Sequence, residues 1–171
     1  MVFFGKRRSA MAAIVMAGCV TASGLAEPAK QLTTEDYAQA EKLHREVLGI
    51  DRRVLGPDHP DSIDALEILA VDLSHEGRFS EAATLFREAL QAAEKSNLPT
   101  IAANTWYDFA CGAALAGRRS EALEYLRQAI DHGLTNPDSI PADPDLKSLH
   151  SDPGFNALVT KARKASAPRA K

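Results

Sequence analysis

A chain of 171 residues, 45% hydrophobic and 25% charged, has the length and balance of one globular domain and excludes a disordered or fibrous polypeptide. Aromatics make up only 6%, and plentiful Ala, Leu and Glu favour helix, because unbranched side chains lose little rotamer freedom there. Residues 1–26 hold Lys6, Arg7, Arg8 and no acid, so the net charge of −3 becomes −6 without them; this acidic body argues against nucleic acid as a partner, since phosphate contacts need clustered Lys and Arg.

Lys6-Arg7-Arg8 precedes the uncharged run Ala10 to Val20, followed by Thr21-Ala22-Ser23-Gly24-Leu25-Ala26. A basic stretch, a short apolar run and small residues, in that order, make a secretory signal peptide. The run is too short to span ~30 Å of hydrocarbon. Export is therefore expected, with residues 1–26 removed before Glu27 and a periplasmic or secreted product. An alternative reading exists. Met16-Ala17-Gly18-Cys19 resembles a lipobox, in which Cys19 is acylated and anchors the protein to a membrane, although Met16 stands where Leu is usual. Arg7-Arg8 lacks the bulky pair that follows a twin-arginine signal. With Cys19 removed or acylated, Cys111 has no disulfide partner, and stability must come from packing.

Residues 27–32 read as a linker, and 33–132 as a helical array. Its first element is a single helix over 34–53. Two helix pairs follow at 60–95 and 99–132. Residues 65–90, ALEILAVDLSHEGRFSEAATLFREAL, align with 105–130, TWYDFACGAALAGRRSEALEYLRQAI, at an offset of 40. Within each unit, Leu66, Leu69, Ala70 and Leu73, or Trp106, Phe109, Ala110 and Ala113, keep the i, i+3, i+4, i+7 spacing of one apolar helical face. Ala82, Leu85, Phe86 and Ala89, and then Ala122, Tyr125, Leu126 and Ala129, repeat it in the second helices. Gly77 and Gly117 end the first helices. Pro60 and Pro99 stand where first helices begin, a position that tolerates a missing N–H. Trp106, on the apolar face, is expected in the core. Residues 133–165 form a C-terminal cap, and 166–171 a basic tail.

This pattern resembles the tetratricopeptide repeat family. Leu66, Leu69, Ala70, Gly77, Phe79, Ala82, Phe86 and Ala89 occupy the family's signature positions in one repeat. Trp106, Phe109, Ala110, Gly117, Ala122, Leu126 and Ala129 occupy them in the next, where Arg119 departs from the usual aromatic. Residues 37–62 are similar to the kinesin-light-chain type of repeat, through the phrase R-x-L-G-x-x-H-P-D at Arg53 to Asp61. The close, DPDLKSLHSDPGFNALV, is similar to the ends of many bacterial arrays. The resemblance implies an all-α fold, a short solenoid of antiparallel helix pairs with a C-terminal capping helix. In the first repeat only the second helix is present, because Pro28 would break its partner. Its apolar residues Ala40, Leu43 and Val47 should then lie partly uncovered, a site for a homodimer or a partner helix.

The resemblance further implies a peptide-binding groove on the face made by first helices. Its positions here are Asp64, Glu67, Val71, Ser74 and His75, then Asn104, Tyr107, Cys111, Ala114 and Leu115, with Asp108 beside them. Chaperone-binding members place Lys and Asn where this chain has Glu67 and Val71, so their carboxylate clamp is absent from the first full repeat. Acids without Lys or Arg at these positions suit a partner segment that carries basic residues beside apolar anchors. Catalytic chemistry is not expected. His44, His59, His75, His132 and His150 show no metal-ligand spacing, and His59 between Asp58 and Asp61 reads as a helix cap. Cys111 reads as a small packed thiol, and no phosphate-binding glycine loop occurs. No cofactor or metal is expected. The function implied is a protein-interaction scaffold or adaptor of the cell envelope. The alternatives are a self-associating structural subunit or the non-catalytic accessory subunit of an envelope enzyme.

Overall fold

A computed structural model describes residues 32–166. The expectations for the signal peptide, Cys19 and the last residues of the tail lie outside these. Six α-helices follow in order: α1 (Thr34–Val54), α2 (Pro60–His75), α3 (Phe79–Lys95), α4 (Pro99–Leu115), α5 (Arg119–Asp131) and α6 (Pro153–Ser166). Two 3-10 helices, Pro137–Ala142 and Pro144–Leu149, lie between α5 and α6. No strand occurs among the described residues.

Local chemistry sets the boundaries. Thr33 and Asp36 cap α1 reciprocally, the Asp36 N–H donating to the Thr33 hydroxyl and the Thr33 N–H to the Asp36 carboxylate. At the head of α2 the Asp61 N–H donates to His59 Nδ1 over 3.2 Å, and Pro60 stands in the first turn. Pro99 does the same for α4. Gly77 and Gly117 end α2 and α4 at φ of 78° and 71°, the left-handed region that side chains resist. After each, an arginine N–H returns 2.8 Å to a carbonyl in the last turn, Arg78 to Leu73 and Arg118 to Ala113. The same turn chemistry in both repeats gives each pair the same hairpin.

The pairs stack because their facing residues are small. Ala70, Ala82, Ala110, Ala122 and Gly112 are buried at the contacts, with Phe86, Phe109 and Leu126 filling the space between. A Cβ on Gly112 would lie 2.6 Å from Ser74 Oγ, so α4 approaches α2 as closely as its backbone allows. Phe86, Phe109 and Tyr125 form a stack, with centroids 4.9 and 4.0 Å apart. Trp106 lies 5.6 Å from Tyr125 but is only half-buried, not fully in the core as its spacing suggests. It sits near the end of the stack, against Tyr125 and His132. The 3-10 helices and α6 close the far end through Ile140, Leu146, Leu149, Phe155 and Val159, all buried.

Candidate functional site

α2 and α4 pack side by side as the first helices of neighbouring pairs, and together they carry the ten expected groove positions and the adjoining Asp108. The structure divides them into an open and a closed part. Asp64, Val71, Asn104 and Asp108 are part-exposed. Glu67 is not a surface acid. It is 2% exposed and accepts a hydrogen bond from the equally buried Thr105 hydroxyl, which ties α2 to α4. Ser74 is buried too, its hydroxyl donating 2.8 Å to the Ala70 carbonyl.

The other part is covered by the chain's own C-terminal segment. The second 3-10 helix lies against α4. The Tyr107 hydroxyl donates to Asp143 over 2.7 Å, and the Cys111 thiol points at the same carboxylate from 3.9 Å. Asp143 also caps the 3-10 helix, accepting from the Asp145 N–H. His75 Nε2 lies 3.4 Å from Asp145 and its ring stacks on Tyr37 of α1, centroids 4.2 Å apart. Ala114 is buried near Ser148, whereas Leu115 at the helix end stays exposed. Sequence reasoning missed Asp143 and Asp145. Each stands just before or after Pro144, in a stretch with no helical apolar period, and only their long-range pairing with α2 and α4 gives them a place.

The covered part is strongly acidic. Cys111, Asp143 and Asp145 hold ligand-capable atoms within 4.8 Å of one another, each carboxylate already engaged by a tyrosine, a backbone N–H or a histidine. Burial, reinforced by Asp143 and Asp108, pushes the Cys111 thiol well above its ordinary value. A thiol so held stays protonated and is a poor nucleophile. Burial likewise drives the Tyr107 hydroxyl far above its ordinary value, with Cys111 and Asp143 adding to the effect. On α2, burial raises the Asp72 carboxyl although His44 of α1 hydrogen-bonds it over 2.5 Å.

α1 presents a second candidate surface. It is held to the body by Leu48, by His44 on Asp72, by Arg52 on Glu88 over 2.5 Å and by Glu41 on Arg78 over 3.0 Å. Its other side exposes Leu43, Val47, Ile50, Val54 and, just beyond, Leu55. Sequence reasoning named Ala40, Leu43 and Val47, of which Ala40 is half-buried. Ile50 and Val54 continue the same spacing and were legible from it.

A tetratricopeptide repeat model matches residues 29–95. The described residues form an all-α helical repeat fold, consistent with that match. No curated protein and no solved structure matches the chain. The matched stretch covers α1, α2 and α3. The hairpin of α4 and α5 follows the same repeat, with the same glycine turn and the same buried alanines. Tetratricopeptide repeats generally mediate protein–protein interaction, and both candidate surfaces lie on helices of this array.

Proposed function

We propose that this protein is a non-catalytic adaptor of the cell envelope that holds an extended or helical segment of another protein on the open part of the α2–α4 face. The observation that carries the reading is one of composition on a shared surface. α2 and α4 contain no Lys or Arg, while Asp64 and Val71 of α2 and Asp108 of α4 are part-exposed. Such a face concentrates cationic ligands and speeds their capture, and apolar side chains add contact area. The preferred segment therefore carries Lys or Arg beside apolar anchors. The envelope location is supported by the order of basic, apolar and small residues before Glu27. Membrane attachment follows only if Cys19 is acylated. The phrase from Arg53 to Asp61 supports the kinesin-light-chain type of repeat.

Envelope extract passed over the immobilised protein, with mass spectrometry of what it retains, identifies the segment to test. Asp64→Lys combined with Asp108→Lys should lower affinity for that segment by about tenfold or more. Binding to the unaltered protein should weaken with salt, because exposed charges are screened over about 10 Å at 0.1 M. Full affinity in the double variant, with a dissociation constant indifferent to salt, would move binding off this face.

A further inference from the structure

Leu43, Val47, Ile50 and Val54 form one row along α1, and all four are exposed, Leu43 at 64% and Val54 at 71%. Their alternating steps of four and three residues are those of a coiled-coil seam. α1 has 21 residues, so the row runs along a helix of about 31 Å at 1.5 Å per residue. Leu48, His44 and Arg52 anchor the other side of α1 to the solenoid. The row is thus rigidly presented, and its partner must come from outside the hairpins.

We propose that the partner is a second copy of this chain, the two α1 helices pairing antiparallel across a two-fold axis. Charge selects both the occupant and the direction. Glu46 and Arg53 flank the row on one edge, are exposed, and form no ion pair among the described residues. In an antiparallel pair, Val47 packs on Ile50 of the second copy and Leu43 on its Val54. Glu46 then faces Arg53 of the second copy, and symmetry makes this pair twice. A parallel pair would instead set Glu46 against Asp51 of the second copy, like charges, also twice. The row therefore carries its own electrostatic complement in one orientation and its own repulsion in the other. A single helix pair covers less than the roughly 800 Å² per partner of a standard interface, so the dimer dissociates on dilution.

Sedimentation equilibrium over a range of concentrations should show a monomer–dimer equilibrium. Glu46→Lys and Arg53→Glu should each weaken it about tenfold, the size expected when two exposed attractive pairs become repulsive. Mixing the two variants, or placing both changes in one chain, should restore the dimer. Leu43→Asp should abolish it while circular dichroism keeps the helical signal, since this side chain is not in the core. A monomer at every concentration overturns the proposal. So does a dimer that Glu46→Lys tightens, which is the parallel result, or one that Leu43→Asp leaves intact.

Discussion

Trp106 and Phe109 occupy the same apolar face of α4, three residues apart, yet the fold treats them differently. Phe109 is 2% exposed and packs within 5 Å of both Phe86 and Tyr125, centroid to centroid. Trp106 lies toward the rim of the same stack, and its indole N–H is buried without an acceptor among the described residues. Truncation should register this order. Phe109→Ala should destabilise the fold by about 3–5 kcal/mol, the range for a fully buried aromatic. Trp106→Ala should cost about 2 kcal/mol, because less apolar area leaves water and part of the site can refill. Urea denaturation followed by circular dichroism measures both, and an equal or reversed order would mean that Trp106 belongs to the core after all. Glu67 carries a similar lesson about single residues. The family resemblance implied a place for it on the groove face, yet the structure buries it. Whether its carboxylate meets solvent or Thr105 depends on a residue thirty-eight positions away.

At the level of elements, the close approach of α2 and α4 rests on Gly112. In an exposed helix interior, Ala in place of Gly would add roughly 0.5–1 kcal/mol of stability. Here the new methyl would meet the Ser74 hydroxyl, which is itself held on the Ala70 carbonyl, and Phe86 at 3.4 Å. Gly112→Ala should therefore destabilise by about 1–3 kcal/mol despite the better propensity. A gain in the denaturation midpoint would show that the helices can separate freely. The helices themselves were legible from sequence, since proline, glycine and a period of 3.6 mark starts, stops and faces locally. The surface they make was legible only in part. The segment PDSIPADPDLKSL between α5 and α6 has no helical period, and its two 3-10 helices gain their places from Ile140, Leu146 and Leu149 sinking into the body. Because that docking is long-range, the closing of the groove beside Tyr107 and Cys111 could not be read from either strand of the repeat alignment.

For the whole molecule, whether the chain is exported and where it is cut decide which form meets its partners. The order of Lys6 to Arg8, Ala10 to Val20 and Gly24-Leu25-Ala26 leads us to expect Glu27 as the first residue of the isolated protein. Intact-mass spectrometry checks this. An acylated Cys19 would assign the membrane-anchored form, and an unprocessed Met1 chain in the cytoplasm would exclude both. The cap built by the 3-10 helices and α6 has a consequence for assembly. Solenoid ends are intrinsically adhesive, since each repeat is shaped to receive another. Here one end is sealed by Phe155, Val159 and Leu149, so head-to-tail stacking, which would grow without limit, finds no acceptor. In the dimer proposed above, the exposed row of α1 meets its like. Such an isologous contact satisfies itself at two subunits, so an assembly made this way counts to two and stops rather than growing into a filament.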